Sequence, residues 1–495
     1  MPSVPSPAST NALCVHAHFY QPPREDPFTG EIPEEYGAGP YHDFNAKITA
    51  ECYRPNAELG NLERLSFDLG PTLAGWLEHA APDVYAAFLA ADRQRVERDG
   101  AGNAMAQAYN HTILPLASPR DQRTQVAWGI ADFRHRFGRA PRGMWLAETA
   151  VDLGTLEVVA RQGIAFVILA PWQAEGADPA HASGVDTTRP YQVALPEGRA
   201  ISVFFYDANL AGAAHGAGPL TDDPRAFARY ALPMRLDNWW WGPRGDQLLL
   251  AASDGEFYGH HRPGRERWLA TLLGEAAPAA GFSVTWPERW LLDHPAVEPM
   301  RIRSRTSWSC RHGLVRWMDD CDCVRDAAGG GDGFWKLPLR TALDRLADRL
   351  DHAYARFGGA LLRDPWDARD ASILVRLGEQ SWETFFATWA SDEVDALAPL
   401  HRARAAERAR DLLDAQYYRQ LMYTSCGFFF EDLDRIEPRN NLAYAAMAIR
   451  LTERATPGFG DFEDDFLADL EGARGRRSGR TAAQLYDAIR ARASR

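Results

Sequence analysis

The side chains best suited to catalysis stand directly after apolar stretches of the chain that are typical of buried strands. Imidazole, carboxyl and amide groups occur in four such places: His16-x-His18 with Gln21, His111 within residues 110–116, Glu148 at the end of residues 145–148, and Asp254-Gly255-Glu256. Barrels and open parallel sheets gather their working residues at the carboxyl ends of the strands. We therefore expect these side chains to meet at one end of a sheet and to form an active site.

Glu148 and Asp254 are the two acids that this arrangement offers for catalysis. Two carboxyl groups that flank a sugar suffice to hydrolyse or transfer a glycosidic bond, because one attacks the anomeric carbon while the other protonates the leaving oxygen. The distance between them decides whether the configuration is retained or inverted. The sequence gives no such distance, so the residues alone predict glycosidic chemistry without its stereochemistry.

Two other functions are compatible with the same residues. His16, His18 and Asp254 are potential ligands of a catalytic metal, which would make the chain a metal-dependent carbohydrate deacetylase or a mannosidase-like hydrolase. Glu148 favours the two-carboxylate interpretation, because a double displacement needs this acid and a metal site does not. A carbohydrate-binding barrel without catalytic activity is the third hypothesis, and the presence of both acids counts against it.

Alternating strands and helices must position these residues. Apolar runs predict strands at residues 12–19, 142–146, 166–169, 201–206, 248–252 and 282–285. Repeated βα units of this kind indicate an α/β barrel or a doubly wound parallel sheet. From about Trp335 onward, leucines recur every three or four residues, as they do on one face of a helix. We predict a catalytic β/α barrel over residues 1–300 and a mainly α-helical region over residues 301–495.

The motifs around the two acids resemble those of glycoside hydrolase family 57. WLAE at residues 145–148 and SDGEFYGHH at residues 253–261 are similar to the nucleophile and acid/base motifs of that family. The segments around His16 and His111 are similar to its first two motifs, and all four occur in the right order and spacing over the barrel portion. The first motif departs from the family's usual His-x-His-Gln-Pro pattern by an inserted Phe-Tyr pair, so the exact substrate stays open.

The resemblance implies a (β/α)7-type barrel, followed by an α-helical region that completes the cleft, and retaining action on the α-glycosidic bonds of α-glucans or oligosaccharides. It implies a double displacement without a cofactor, in which Glu148 is the nucleophile and Asp254 the acid/base. Hydrolysis and transglycosylation stay alternatives, since they differ in whether water or a sugar hydroxyl accepts the glycosyl group. The residues expected to bind the sugar are His16, His18, His111, Trp145, Glu256 and Trp308. Trp308 is equally suited to packing.

Four potential metal ligands lie close together in the sequence outside these motifs. They are Cys310, His312, Cys321 and Cys323. These residues are compatible with a zinc site and also with a set of reduced thiols beside a surface histidine. The one-residue spacings are unusual beside the common spacing of two to four residues, so the sequence does not decide between the two. We expect the catalytic site itself to contain no metal.

The charge and composition of the chain argue against several partners. A net charge of −13 and a pI near 5.6 are unfavourable for binding nucleic acid or an anionic membrane. No stretch approaches the roughly 20 apolar residues that a membrane span requires. The N-terminus lacks the basic start and apolar run of a signal peptide, and six cysteines in 495 residues fit reduced thiols, so we expect a cytoplasmic protein. A neutral carbohydrate is the expected partner, and the oligomeric state stays open.

Overall fold

The computed structural model describes residues 10–176, 184–236, 245–323 and 332–493, and its contacts divide the chain into two compact units. The barrel unit consists of Met1–Gln21, Glu34–Ala108 and Arg136–Trp308, and the helical unit consists of Pro22–Pro33, Tyr109–His135 and Ser309–Arg495. This division differs from the predicted one at residue 300, because two early segments join the helical unit. One cause is electrostatic, since Asp121 pairs with Arg369 and Arg419.

The strands within the described residues lie in the barrel unit. In order they are β1 Asn11–Phe19, β2 Ser66–Leu69, β3 Ala104–Gln107, β4 Met144–Trp145, β5 Phe166–Leu169, β6 Tyr191–Ala194, β7 Ala200–Phe205, β8 Gln247–Asp254, β9 Phe282–Val284 and β10 Glu298–Pro299. Nearly all side chains of β1, β2, β3, β5 and β8 are buried. Strands that are apolar on both faces are typical of a parallel sheet covered by helices, as the sequence predicted.

Seven of these strands form a closed parallel barrel. The order β4-β3-β2-β1-β8 is parallel throughout, and β5 pairs with β7 in the same sense. A parallel bridge between Gly143 and Phe166 joins β4 to β5. The backbone N–H of Asp207, which follows β7, donates to the carbonyl oxygen of Leu250 on β8 at 2.7 Å and closes the ring. The (β/α)7-type barrel that the sequence predicted is therefore confirmed.

The remaining strands are additions to this barrel. β6 pairs antiparallel with β7, β10 pairs with β6, and β9 pairs with the first residues of β1. The helices before residue 300 are α1 Phe44–Ile48, α2 Arg54–Glu58, α3 Pro71–Ala80, α4 Pro82–Asp99, α5 Pro119–Phe137, α6 Leu153–Arg161, α7 Ala208–His215, α8 Pro219–Asp222, α9 Pro224–Ala226, α10 Arg265–Thr271, α11 Ala277–Ala279 and α12 Pro287–Asp293. Proline opens many of them, which suits the first helical position because no N–H partner is needed there.

The C-terminal part of the chain is helical, as predicted. Its helices are α13 Lys336–Ala353, α14 Gly359–Leu361, α15 Pro365–Ala371, α16 Ile373–Arg376, α17 Trp382–Trp389, α18 Asp392–Asp395, α19 Pro399–Leu421, α20 Cys426–Phe429, α21 Ile436–Ala455, α22 Phe462–Leu470 and α23 Ala482–Ala493. The leucines of α13 that recur at three- and four-residue steps are all buried. No helix in the described ranges is both long and apolar enough to cross a membrane.

A buried ion network holds α5, α15 and α19 of the helical unit together. The carboxylate of Asp121 accepts hydrogen bonds from Arg369 at 3.1 Å, from Arg419 at 2.7 Å and from Gln420 at 2.7 Å. Burial alone would raise the pKa of Asp121, but the two guanidinium groups outweigh it and lower the pKa to about 2. The carboxylate is therefore charged at every pH at which the protein is expected to work.

We expect Asp121→Asn to lower the free energy of unfolding of the full chain by about 3–5 kcal/mol, because the buried Arg369 loses its ion-pair partner and the buried Arg419 keeps only Asp351. Asp367→Asn, which breaks the exposed pair with Arg123, is the matched control and should cost about 0–1 kcal/mol. The folded pKa of Asp121 is below the unfolded value of about 3.9, so its contribution is present above pH 4 and is lost as the pH falls toward 2. Denaturant melts of both variants at pH 7 measure the difference, and equal losses would contradict the network's role.

Candidate active site

Catalytic side chains converge where β8, β1, β2 and β3 end side by side in the barrel. In the parallel register His18 of β1 lies opposite Asp68 of β2 on one side and opposite Asp254 of β8 on the other. Gln107 is the last residue of β3, and Glu148 follows β4 by three residues. Because neighbouring parallel strands bring their carboxyl ends to one edge, five strands supply this group of side chains.

His16, His18 and Asp68 form a buried hydrogen-bonded cluster. Nε2 of His16 donates to Oδ1 of Asp68 at 3.1 Å, and Nδ1 of His18 donates to Oδ2 at 2.8 Å. The amide of Gln107 also donates to Oδ2 of Asp68, at 3.0 Å. Nδ1 of His16 lies 2.9 Å from the hydroxyl of Ser66. Both oxygens of Asp68 are therefore used to fix the orientation of the two imidazoles.

The cluster gives the two histidines different pKa values. Burial is the largest influence on His16 and lowers its pKa, so this imidazole is neutral. Burial acts in the same direction on His18, but the negative charge of Asp68 and the hydrogen bond to it outweigh burial and raise the pKa of His18 to about 9. The same interactions lower the pKa of Asp68. At neutral pH the site consequently contains a positive His18 beside a negative Asp68.

Glu148 stands on a strained turn. Its backbone has a φ of 58°, and the following Thr149 has a φ of 50°, in the left-handed region that favours glycine. Oε2 of Glu148 accepts a hydrogen bond from Nε1 of Trp308 at 2.9 Å, and the main chain of Trp308 donates to the carbonyl oxygen of Glu148 at 3.1 Å. Left-handed backbone at non-glycine residues is concentrated at functional sites, where it aims a side chain. Here it aims a half-buried carboxylate.

Aromatic rings connect the two acids. The ring of Trp145 stacks on His16 at 4.7 Å and on His18 at 5.2 Å, and it meets the ring of Trp308 edge-on at 5.0 Å. Trp308 also lies 6.3 Å from His18 and 6.3 Å from Tyr206. Trp308 thus contacts Glu148 through its indole N–H and contacts, through its ring, the histidine that neighbours Asp254. The half-buried face of this tryptophan is suited to stack on a sugar ring.

Asp254 has the ionisation behaviour of a general acid. The carboxyl group is accessible to solvent, yet the protein packed around it removes enough water to raise its pKa to about 6. The positive charge of His18 opposes this rise, and the negative charges of Glu256 and Asp68 add to it. A carboxyl group with a pKa near 6 is protonated often enough to donate a proton and is still able to accept one afterwards.

Glu256 acts on Asp254 from a buried position. Its Oε1 accepts hydrogen bonds from the hydroxyl of Tyr53 at 2.5 Å and from the amide of Gln21 at 3.4 Å. Burial raises the pKa of Glu256, and these hydrogen bonds oppose the rise. Only 6% of the residue is exposed, and its predicted role in binding the sugar stays a prediction. The negative charge of Glu256 also contributes to the raised pKa of Asp254.

We expect Glu256→Gln to move the basic limb of the pH profile of kcat/KM to lower pH. Asp254 must be protonated to donate, so activity falls as the pH rises through its pKa, and removing the charge of Glu256 lowers that pKa. Asp246→Asn is the matched control, because Asp246 precedes the opposite end of β8. The control should leave the limb in place. An unchanged or raised limb in Glu256→Gln would contradict the proposed coupling.

His111 belongs to the helical unit and is described there. Its imidazole Nδ1 lies 2.6 Å from the hydroxyl of Ser425, its carbonyl oxygen accepts from the backbone of Ser425 at 3.1 Å, and its φ is 52°. Its role in the subsite around the attacked sugar stays a prediction. The other expected site residues, which are His16, His18, Trp145, Glu148, Asp254, Glu256 and Trp308, all lie in the barrel unit.

A catalytic metal at His16, His18 and Asp254 does not fit the donor set. Both ring nitrogens of His16 and Nδ1 of His18 are already hydrogen-bonded within the cluster around Asp68. Among the described residues, several potential ligand atoms lie close together at Cys310 and its neighbours. The same is not found at these histidines. The geometry therefore favours the chemistry of two carboxyl groups.

Sequence reasoning missed several residues of the site. They are Tyr53, Asp68, Gln107, Trp172 and Tyr206. The signal for Asp68 was weak, because residues 66–69 are Ser-Phe-Asp-Leu and only the following Gly70-Pro71, a typical helix start, marks the end of the strand. An acid at the end of such a strand has the same position as Asp254 at the end of β8.

Two known protein families match separate parts of this chain. The sequence model of Glycosyl hydrolase family 57 matches residues 70–278, which include both acids, and Domain of unknown function (DUF3536) matches residues 333–492. No match was found among curated proteins.

Solved structures that share the fold include three enzymes from archaea. An exo-type maltose-forming amylase from Pyrococcus sp. ST04 is 16% identical, with 97% of this chain and 88% of that chain covered and a TM-score of 0.70. A GH57 branching enzyme from Thermococcus kodakaraensis is 16% identical, with 96% of both chains covered and a TM-score of 0.60. A 4-alpha-glucanotransferase from Thermococcus litoralis is 15% identical, with 89% of this chain and 60% of that chain covered and a TM-score of 0.53. At these identities the likeness is one of fold.

Proposed function

The chain combines a glycosyl hydrolase family 57 domain with a C-terminal domain of unknown function, and from this premise we propose that it cleaves or transfers α-glycosidic bonds of α-glucans with retention of configuration. The proposal is carried by the presence of two acids in the site. Glu148 stands on a strained turn, and the pKa of Asp254 is raised to about 6. These are the properties that a nucleophile and an acid/base require.

In the first step Asp254, in its protonated form, gives its proton to the glycosidic oxygen as the bond to the leaving sugar breaks. Glu148 attacks the anomeric carbon and forms a glycosyl ester. The Trp308 indole donates to Oε2 of Glu148 and so helps to orient the carboxylate for attack. His18 favours the negative charge that Asp254 acquires when the proton leaves.

In the second step the carboxylate of Asp254 takes a proton from the incoming hydroxyl group. Water as the acceptor gives hydrolysis, and a sugar hydroxyl gives transglycosylation. Attack from the face that the leaving group vacated restores the original configuration. No step requires a metal or an organic cofactor.

The proposed substrate class is supported by the enzymes that share the fold. Their names describe an amylase that forms maltose, a branching enzyme and a 4-alpha-glucanotransferase, all of which act on α-glucans. The aromatic rings of Trp145, Trp308 and Tyr206 near the acids are consistent with a sugar substrate.

The experiment that tests the proposal is product analysis on amylose and on maltooligosaccharides. Shorter products alone indicate hydrolysis, whereas longer or branched products indicate transfer, and both support the proposal. Acetate release from acetylated oligosaccharides is measured in parallel, because that reaction belongs to the metal-dependent alternative. Acetate release without turnover of any α-glucan would overturn the proposal.

A further inference from the structure

A group of sulfur and nitrogen atoms converges in the helical unit, in the segment that follows Trp308 in the chain. Residues 309–323 contain a single short turn of 3-10 helix, Val315–Trp317, and no other helix or strand. A segment of this length without regular hydrogen bonding needs another source of order. Cys310, His312, Cys321 and Cys323 lie at its two ends, and each offers one ligand atom within 4.8 Å of the other three.

Three distances within the group are close to the edges of a tetrahedral zinc site. Sγ of Cys310 lies 3.6 Å from Sγ of Cys321, and Nδ1 of His312 lies 3.3 Å from Sγ of Cys321 and 3.4 Å from Sγ of Cys323. A zinc ion with Zn–S distances of about 2.3 Å and a Zn–N distance of about 2.0–2.1 Å has edges of roughly 3.8 Å between sulfurs and roughly 3.6 Å between sulfur and nitrogen. The observed spacings are within about 0.3 Å of these values.

Packing of reduced thiols does not account for this arrangement. A single imidazole nitrogen that carries one proton donates one good hydrogen bond, yet Nδ1 of His312 faces two sulfurs and Oδ1 of Asp322, all at 3.3–3.4 Å. A disulfide between Cys310 and Cys321 would require a sulfur–sulfur distance of about 2.05 Å, far below the distance present here. A shared ligand at the centre explains why all four atoms point to one place.

The surroundings balance the charge that such a centre would carry. Three thiolates outweigh the two positive charges of the ion, so the centre is negative overall. Lys336 is fully buried and donates to the carbonyl oxygen of Arg316 at 2.7 Å. Arg316 in turn donates to the carbonyl oxygen of Cys323 at 3.1 Å. The guanidinium group of Arg316 is therefore a positive charge beside the ligands that thiolates would compensate.

We propose that Cys310, His312, Cys321 and Cys323 bind a structural zinc ion that fixes the segment following Trp308. Four protein ligands fill a tetrahedral site and leave no position for water or substrate, so the ion has a structural and not a catalytic role. The site connects residues eleven positions apart, Cys310 and Cys321, and thereby fixes the order of a segment with little secondary structure. The spacing of one residue within each pair departs from the common zinc pattern, and for this reason the sequence alone left the question open.

The first test is the metal content of the untagged full-length protein, purified under reducing conditions from cells grown with zinc. We expect about one zinc atom per chain in the wild type and a loss of roughly tenfold or more in Cys321→Ser/Cys323→Ser. Cys426→Ser is the matched control, because Cys426 is also half-buried in the helical unit but lies outside the group. The control should keep its zinc. A wild type without zinc, or one that contains iron instead, would overturn the proposal.

The second test uses the wild-type protein and so does not depend on the folding of the double variant. Wild-type protein from which zinc has been removed is titrated with Co²⁺ and its visible spectrum is recorded. Intense d–d bands with thiolate-to-cobalt charge transfer indicate a tetrahedral thiolate site, and competition by zinc should abolish them. Weak octahedral bands, or none, would contradict it. Neither test uses catalysis, so this proposal and the proposed function can fail independently.

Discussion

Glu148→Gln is expected to lower kcat on maltooligosaccharides by about 10³-fold or more, because the variant cannot form the glycosyl ester. The substitution keeps the size of the side chain and its ability to accept a hydrogen bond from Trp308. Loss of activity would therefore reflect loss of the nucleophile and not of packing. The measurement is steady-state turnover on maltooligosaccharides, with product quantification sensitive enough to follow the residual rate.

A matched control is available within the barrel unit. Glu197 occupies nearly the same backbone conformation as Glu148, with φ values of 59° and 58°, in a turn of the same kind. Its carboxylate pairs with exposed arginines, so Glu197→Gln should leave kcat unchanged. Glu148→Gly should in addition regain activity with azide, since glycine suits the positive φ and the small anion can occupy the vacated space. Full activity in Glu148→Gln would contradict the assignment.

The second large effect concerns Asp254→Asn, and its size should depend on the leaving group. On maltooligosaccharides we expect a loss of about 10²–10⁴-fold, because the departing sugar oxygen needs a proton. On α-maltosyl fluoride the first step should change little, because fluoride leaves without protonation. Burst kinetics on the fluoride and steady-state kinetics on the oligosaccharide separate the two cases. Equal losses on both substrates would show that Asp254 does not act as the acid.

Much of the barrel could be predicted from the sequence because buried parallel strands are apolar on both faces. The strands at residues 166–169, 201–206 and 248–252 were located to within two residues of their observed bounds at every end. Two short barrel strands, β2 and β3, were missed, since their four-residue sequences, SFDL and AMAQ, contain polar residues and form no apolar run. Asp68 and Gln107, which orient the histidines, were missed with them.

The catalytic pair could be named from the sequence, but its setting could not. Glu148 and Asp254 close motifs that resemble a known family, whereas the contact between Glu148 and Trp308 joins residues 160 positions apart. The buried position of Glu256 likewise depends on Tyr53, which lies 203 positions away. Such long-range contacts follow from how the strands and loops assemble, and no local pattern of residue types records them.

The central claim is that Glu148 forms a glycosyl ester while Asp254 supplies and removes the proton. Asp254→Asn with α-maltosyl fluoride tests it most directly, because the ester should form without an acid and then persist without a base. Peptide mapping by mass spectrometry should find the glycosyl group on the peptide that carries Glu148, and adding azide should release it. A label on another residue, or turnover to products with inverted configuration and no label at all, would contradict the double displacement.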